Sequence, residues 1–470
     1  MTTTLLTLAA ALTSATSAKA LTGTNIGGWL VLEPWITPSF FYRFLDKGQN
    51  ETAMDCWTVC ETLGPEEGNK LMRAHWTSWY SEQDIANLAK RGVEMVRLPI
   101  GDWTLDPYGP YIGCMDGAAD MVQWMLDTCA KYNIGVLMDV HAVRDSQNGF
   151  DNSGRTRNVE WLNDTHFSHW PNAQANWEGQ WNISAGKYDH INYDNLKWST
   201  DVSEHLLQRW GNHSAFFAYE PVNEPWWNTN LDVLKDFYRD VRKLVQEYAP
   251  QAYFVFHDSF VYVPGVWNDM FMDDDIDKVV MDAHYYTAWN QNMNTTQQFC
   301  DDYEKNSATA DEVKYEVWFG EWALATDVCA HWLGGFNDAN TDPQFQCNWV
   351  ECPKTYLPEE FAVDFDRTAD MLGPYGTGNS SNTCIQKGMC SDDSLFFSEE
   401  EVRTIAQCAL ASFDKHVNGT FFWTAHNEIE AKWDYVKAWD RAWINKTELP
   451  SNDTKTELPA SSMDLEFMQE

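Results

Sequence analysis

The chain of 470 residues has few basic side chains: 32 lysines and arginines stand against 70 aspartates and glutamates, giving a formal net charge of −38. This excess of negative charge repels phosphate groups, which argues against nucleic acid or an anionic membrane surface as partner. Long apolar runs are also missing beyond the N-terminal residues, so no later segment is predicted to span a membrane. The charge balance therefore favours an uncharged ligand.

The first twenty residues are the apolar exception. An apolar stretch runs from Leu5 to Leu12 and is followed by small residues up to Ala20, a pattern typical of a cleaved secretory signal. Nine Asn-x-Ser/Thr triplets elsewhere in the chain fit a glycoprotein of the secretory pathway. We therefore predict a signal peptide over residues 1–20 and a secreted product, either extracellular or in a cell wall.

Histidines at metal-ligand spacing are missing around the six late cysteines of the eleven in the chain. In an oxidising compartment this composition favours disulfides over a zinc site. Six of the cysteines fall between Cys300 and Cys390, which predicts a loop-rich excursion held by disulfides. Cys408 lies in an amphipathic helical pattern and is predicted to be a buried free thiol. We expect no metal and no cofactor.

Apolar and β-branched runs alternate with helical patterns along the chain. The predicted strands cover residues 24–32, 94–100, 135–141, 216–222, 253–259, 278–285, 315–322 and 419–425. The clearest helical patterns cover residues 117–133, 196–212 and 231–250. Eight such units favour a (β/α)8 TIM barrel, an α/β fold, over a doubly wound sheet.

Domain limits follow from the same pattern. Residues 21–443 are predicted to form one catalytic domain, with residues 323–397 as a cysteine-rich insertion between strands 7 and 8. Residues 444–470 carry no apolar periodicity and are predicted to be a polar, disordered tail.

Two glutamates are candidate catalytic residues. Glu224 and Glu321 end the fourth and seventh strand runs, and the strand ends of such a barrel meet at one rim. Two carboxylates facing each other across a cleft are what glycoside hydrolysis requires, and Asn223 is suited to bond a sugar hydroxyl. Each glutamate alone would more simply be one half of an ion pair. Glu220 lies deeper along the strand and is predicted to be structural, satisfied by a buried cation or a backbone donor.

Six motifs occur in order over residues 21–435: "NIGGWLVLEPWITPSFF", "VRLPIGDW", "SQNGFDNSG", "NEPW", "DAHYY" and "FGEW". Together they resemble glycoside hydrolase family 5, and within it the secreted exo-β-1,3-glucanases of fungi and fungus-like organisms. The resemblance implies a (β/α)8 fold and a retaining mechanism. It also implies β-1,3-glucan as the substrate, cut from the non-reducing end to give glucose.

The resemblance also implies residue roles. Glu224 matches the acid/base and Glu321 the nucleophile, while Arg97 and Tyr286 match residues that hold the nucleophile. This scheme requires the pKa of Glu224 to be raised and Glu321 to stay ionised. The substrate-binding positions that it implies are Asn223, His141 and His284 around the reacting glucose, Glu33 at its distal hydroxyls, Trp423 beneath it, Phe150 and Trp289 as an aromatic clamp, and Asp151 and Glu428 as pocket walls.

Several alternatives remain open at the level of sequence. An endo-acting family 5 enzyme on β-1,4- or β-1,6-glucan would use the same catalytic pair in an open cleft. A wall-remodelling transglucosylase would make longer products, and a non-catalytic glucan-binding protein would need a missing carboxylate. The expected partner in each case is a β-glucan, and the expected state is a monomer.

Overall fold

The computed structural model describes residues 19–44, 47–161, 167–168, 174–272, 276–289, 293–326, 353–363 and 397–445. Eight parallel strands close into a barrel in which spatial order follows chain order and β8 pairs with β1. The strands are β1 (Leu21–Asn25), β2 (Met95–Gly101), β3 (Gly135–Ala142), β4 (Phe216–Glu220), β5 (Tyr253–His257), β6 (Val279–Tyr285), β7 (Glu316–Trp322) and β8 (Gly419–Phe422). The predicted TIM barrel is therefore confirmed.

Helices connect the strands on the outside of the barrel. The longer ones are α1 (Cys56–Trp79), α2 (Glu82–Lys90), α3 (Ala118–Lys131), α4 (Tyr193–Trp210), α5 (Leu231–Tyr248), α6 (Thr296–Ser307) and α7 (Glu399–His416). Short helical turns cover Pro38–Phe41, Tyr111–Cys114, Pro264–Trp267 and Tyr435–Asp440. Among the helices of the described residues, none is long and apolar enough to cross a membrane.

The connection from β3 to α4 carries two small antiparallel hairpins. One pairs Glu160–Trp161 with Phe167–Ser168, and the other pairs Gly179–Asn182 with Lys187–Ile191. Both lie on the side of the barrel where the strands end, because this connection leaves the carboxyl end of β3.

The barrel interior is built in layers, because alternate residues of a strand point to the same face. The lower layer is apolar and takes one residue from each of seven strands: Met95, Leu137, Ala218, Val255, Val280, Trp318 and Phe421. Two residues further along five of these strands the interior side chains are polar or charged and fully buried: Arg97, Asp139, Glu220, His257 and Asp282. The apolar layer thus supports a charged layer directly below the strand ends.

The predicted first strand is wrong in its bounds. Only the residues up to Asn25 belong to β1, whereas the run was expected to continue to residue 32. Gly28 takes a left-handed backbone conformation with φ of 64°, which turns the chain out of the sheet. The following loop stays apolar because it packs on α1, where the Trp29 indole donates to the carbonyl of Trp76.

The structure contradicts the prediction that Cys408 is a free thiol. Cys408 on α7 forms a disulfide with Cys300 on α6, and a second disulfide joins Cys60 to Cys114. The amphipathic pattern placed Cys408 correctly on a buried helix face, but it could not show which helix packs against that face. The other five late cysteines lie outside the described residues, as do most of the predicted signal, the predicted tail and the predicted insertion. Of the signal and the tail, only residues 19–20 and 444–445 are described, and Ala20 and Ile444 are buried.

Candidate active site

Glu224 and Glu321 bring two buried carboxylates to the carboxyl end of the barrel. Glu224 lies just beyond β4 and Glu321 lies on β7, with exposed fractions of 9% and 4%. Nδ1 of His284 lies 2.7 Å from Oε1 of Glu224 and 3.4 Å from Oε2 of Glu321. Those two oxygens are therefore within about 6 Å of each other, so the two carboxylates face the same small space.

The guanidinium of Arg97 lies beneath this pair. Its Nη1 donates to Oε1 of Glu321 at 2.9 Å and its Nε to Oε2 of Glu220 at 2.9 Å. Asn25 and Asn223 also accept from it, at 3.1 and 2.7 Å, and its Nη2 forms an ion pair with Asp139 at 3.1 Å. These contacts on all three nitrogens hold the group rigidly.

The second oxygen of Glu321 accepts from the hydroxyl of Tyr286 at 2.6 Å. His284 is fixed from below, where its Nε2 lies 3.2 Å from Oδ2 of Asp282. Asp282 also accepts from the backbone amide of Gly320, next to Glu321. We call Arg97, Asp139, Glu220, Asp282 and His284 the buried charge network, since all five side chains are buried and carry or share charge.

The position predicted for Glu220 agrees with the structure. Glu220 is the last residue of β4, fully buried, and its carboxylate accepts from the buried cation Arg97. Its burial below the strand end keeps it away from the cavity described next.

The predicted order of the two catalytic pKa values is wrong for the free site. Burial raises the pKa of Glu321, against the opposing effect of His284. Burial would also raise the pKa of Glu224, but the hydrogen bond and charge of His284 outweigh it and bring the pKa to about 2. The pKa of His284 is itself raised well above its usual value, because the charges of Glu321 and Asp282 outweigh its burial. The imidazole lies closer to Glu224 than to Glu321, at 2.7 Å against 3.4 Å, so its charge favours the ionised form of Glu224.

Local backbone contacts fix the direction of Glu224. Its φ of 44° lies in the left-handed region, which is uncommon for a residue with a side chain. The amide of the preceding Asn223 donates to the carbonyl of Val140 on β3, which holds the segment against its neighbouring strand. The side chain of Asn152 donates to Oε2 of Glu224 at 3.4 Å.

A cavity of about 370 Å³ opens above the two carboxylates. Its lining consists of Glu33, Trp35, Phe150, Asp151, Asn152, Glu224, Trp226, Trp227, Phe260, Tyr286, Trp289, Glu321, Trp423 and Trp433. Aromatic side chains dominate, with carboxylates and one amide between them. This combination suits a ligand that has both apolar faces and many hydroxyl groups.

The two ends of the cavity differ in exposure. At one end Glu33, Trp35, Trp423 and Trp433 are all buried, and the rings of Trp35 and Trp433 meet edge to face with centroids 5.0 Å apart. At the other end Trp227, Trp289 and Phe260 are 58%, 47% and 41% exposed. The cavity is therefore closed on the side of β1 and β8 and open on the side of β4 to β6.

Two carboxylate oxygens at this cavity are buried and have no hydrogen-bond partner among the described residues: Oε1 of Glu33 and Oδ2 of Asp151. The other oxygen of Glu33 accepts from the indole of Trp35 at 3.0 Å. Burial raises the pKa of Asp151 to about 7 and that of Glu33 well above its usual value. A buried acceptor without a partner is costly, so these oxygens are positioned to bond hydroxyl groups of a ligand.

Most of the residues suggested by sequence converge here. Eight of them line the cavity: Glu33, Phe150, Asp151, Glu224, Tyr286, Trp289, Glu321 and Trp423. Arg97, Asn223, His141 and His284 lie next to them, with His141 stacked on Trp423 at a centroid distance of 5.3 Å. Glu428 lies elsewhere: it is absent from the lining, and its carboxylate accepts from the amide and hydroxyl of Ser39.

Sequence reasoning missed several residues of the site. In the charged layer these are Asp139, His257 and Asp282; in the lining they are Trp35, Asn152, Trp226, Trp227, Phe260 and Trp433. A charged residue two positions after an apolar one at a strand end, as in Leu137 and Asp139, was a usable signal for the first group. Trp226 and Trp227 directly follow "NEP", whereas Trp433 lies far from any motif.

Glu224, His257 and His284 each place one potential metal-ligand atom within 4.8 Å of the others. Both nitrogens of His284 already lie within hydrogen-bonding distance of carboxylates, and Nδ1 of His257 accepts from the amide of Ser259. Nε2 of His257, in contrast, is buried and has no hydrogen-bond partner among the described residues.

Paired carboxylates at the ends of β4 and β7, below an aromatic and hydroxyl-binding cavity, define the site of a glycoside hydrolase. The profile of the Cellulase family (glycosyl hydrolase family 5) matches residues 62–351. The chain belongs to glycosyl hydrolase family 5.

Curated relatives match two thirds or more of the chain. A "Glucan 1,3-beta-glucosidase" of Blumeria graminis is 28% identical over 88% of this chain and 84% of its own length. A "Probable glucan 1,3-beta-glucosidase A" of Aspergillus terreus is 31% identical over 67% of this chain and 68% of its own length.

Among solved structures, a rutinosidase from Aspergillus niger has a TM-score of 0.58 at 18% identity, covering 91% of this chain and 99% of that one. A structure described as AoRut has a TM-score of 0.60, also at 18% identity, covering 91% and 98%. At this identity the likeness supports the fold.

Proposed function

We propose that the protein is a secreted glucan 1,3-β-glucosidase that releases glucose from the non-reducing end of β-1,3-glucan with retention of configuration. The observation that carries this proposal is the pair Glu224 and Glu321 in a cavity closed at one end. A closed end admits one chain terminus and excludes a continuous polymer, which favours exo over endo action. The names of the curated relatives support the β-1,3 linkage.

In the first step Glu321 attacks the anomeric carbon while a proton passes to the departing oxygen from Glu224. Arg97 and Tyr286 hold the two oxygens of Glu321 and keep it aimed. The proton that Glu224 delivers is stored on His284 in the free site and crosses a 2.7 Å hydrogen bond. Glu224 then removes a proton from water, which releases glucose from Glu321.

The reacting glucose occupies the closed end of the cavity. Glu33 and Asp151 accept hydrogen bonds from its hydroxyl groups through their unbonded oxygens, and Trp423 packs against its apolar face. Asn223 and His141 hold the neighbouring hydroxyl groups. The N-terminal pattern and the Asn-x-Ser/Thr triplets support secretion.

Product sizing on separate β-1,3-, β-1,6- and β-1,4-glucans tests the proposal. We expect glucose as the first and main product, and only from the β-1,3-linked polymer. Mixed oligosaccharides would indicate endo action, and products longer than the substrate would indicate transglucosylation. Binding without any product would contradict an enzymatic function.

A further inference from the structure

Trp227 is a large aromatic side chain that the catalytic scheme does not use. It lines the open end of the cavity and is 58% exposed. Its neighbour Trp226 differs, because it packs edge to face between Phe150 and Phe260 with centroids 5.1 and 5.3 Å away. Trp226 thus forms the wall, whereas Trp227 contributes an exposed apolar surface of the kind that marks binding sites.

The backbone around Trp227 is fixed on both sides. The hydroxyl of Ser259 donates to the carbonyls of Pro225 and Trp226 at 2.9 and 2.8 Å. After Trp227, the amide of Thr229 donates to the carbonyl of Trp226, and the amide of Asn230 donates to the carboxylate of Glu178. The indole is therefore carried on a rigid segment, and its exposure is not that of a loose loop tip.

A second tryptophan supports the ring from the hairpin formed by Gly179–Asn182 and Lys187–Ile191. Trp181 meets Trp227 edge to face with centroids 6.4 Å apart, and Trp181 in turn packs against Tyr188 at 5.2 Å. An edge contact leaves ring surface of Trp227 open to a ligand, as its exposed fraction shows. The aromatic lining thus continues outward from the cavity.

The position of Glu224 decides which part of a substrate meets Trp227. The acid must face the oxygen that leaves, so the leaving chain lies on the side of Glu224. Trp227 is three residues further along the same segment, and Glu33 and Trp433 line the opposite, closed end of the cavity. Trp227 therefore faces the leaving part of the chain.

We propose that Trp227, supported by Trp181, forms an additional binding subsite for a glucose ring of the leaving β-glucan chain, beyond the ring expected at the predicted clamp of Phe150 and Trp289. The inference rests on the proposed function. The C–H face of a pyranose ring packs against the electron-rich face of the indole. This stacking tolerates different orientations of the sugar ring, and it favours chains long enough to reach Trp227.

Steady-state kinetics with laminaribiose and laminaripentaose test the subsite, because only the longer chain reaches Trp227. For Trp227→Ala we expect kcat/KM on laminaripentaose to fall about fivefold more than on laminaribiose. Trp227→Phe keeps an aromatic face and should restore most of this difference. Tyr193→Ala serves as the matched control, since Tyr193 is 69% exposed and does not line the cavity.

Equal changes on both substrates, or no change on either, would overturn the subsite while leaving the proposed function intact. A wild-type protein that hydrolyses neither laminari-oligosaccharide would contradict the proposed function and the subsite together. The wild-type rates on laminaribiose separate these two failures.

Discussion

The buried charge network and the rim of the cavity differ in the chemistry of their side chains. The network consists of charged side chains at strand ends, and Arg97 and Glu220 in it are completely buried. We call the other region the aromatic rim, formed by Phe150, Trp226, Trp227, Phe260 and Trp289 on loops beyond the strands. Three of its five rings are more than 40% exposed.

The difference separates what the fold requires from what the substrate requires. Each member of the network satisfies the charge of another, so removing one leaves a buried charge unpaired. Trp227, Trp289 and Phe260 contact solvent at the open end of the cavity, so the loss of an exposed rim ring costs the fold little. Catalysis is therefore tied to stability at the base of the site, while chain-length preference is free to vary at its mouth.

The largest expected effect is on turnover. Replacing Glu321 with Gln removes the nucleophile and should lower kcat by at least about 10³-fold, with little change in folding. Glu316→Gln on the same strand is the control, because Glu316 is exposed at the opposite end of β7. Glucose release measures the turnover of both variants, and thermal unfolding measures their stability. A Glu321→Gln enzyme that keeps most of its activity would contradict the assignment of Glu321 as the nucleophile.

Arg97→Met tests the structural side of the comparison. It leaves the carboxylates of Asp139, Glu220 and Glu321 without their shared cation, and we expect the free energy of unfolding to drop by about 3–5 kcal/mol. Arg441→Met removes an exposed ion pair with Glu399 and should cost about 1 kcal/mol or less. Denaturant unfolding measures both, and equal losses would show that the network is not special.

His284→Gln tests where the catalytic proton is held. In the wild type the raised pKa of His284 keeps the proton available as pH rises, until that pKa is passed. Without the imidazole, Glu224 must hold the proton itself, so the alkaline limb of kcat/KM should move to lower pH. His205→Gln, at an exposed ion pair with Asp106, should leave the profile in place. An unmoved alkaline limb in His284→Gln would place the proton elsewhere.

The smallest effect is expected at the rim. Trp289→Ala should raise KM for oligosaccharides several-fold and change the free energy of unfolding by about 0.5 kcal/mol or less. Trp267→Ala removes a fully buried indole and should cost roughly 3–5 kcal/mol instead. Kinetics and denaturant unfolding of both variants test this prediction. A Trp289→Ala protein less stable than the Trp267→Ala protein would contradict it.

The network was partly predictable because it follows from strand geometry. Once the eight strands are placed, alternation puts Arg97 and Glu220 inside the barrel. Because a buried carboxylate is costly unless it is paired, Glu220 is expected to contact a cation. What alternation cannot give is the distance from one imidazole to two carboxylates. The reversed pKa order of Glu224 and Glu321 depends on that distance, and so it escaped sequence reasoning.

The rim and the helix pairings were harder to predict because they depend on contacts between distant segments. Trp433 reaches the cavity only because the segment after β8 folds back over Trp35. Likewise, the disulfide partner of Cys408 is set by the packing of α6 against α7. Local patterns identify buried faces, but they do not specify what covers them.

The proposed mechanism requires Glu321 to form a covalent bond to glucose, with Glu224 as the acid. Incubation with 2-deoxy-2-fluoro-β-glucosyl fluoride slows the second step, so the intermediate accumulates and can be located by peptide mass spectrometry. We predict a single fluoroglucosyl adduct on Glu321. An adduct on Glu224, or no adduct while normal substrate is still turned over, would contradict the account.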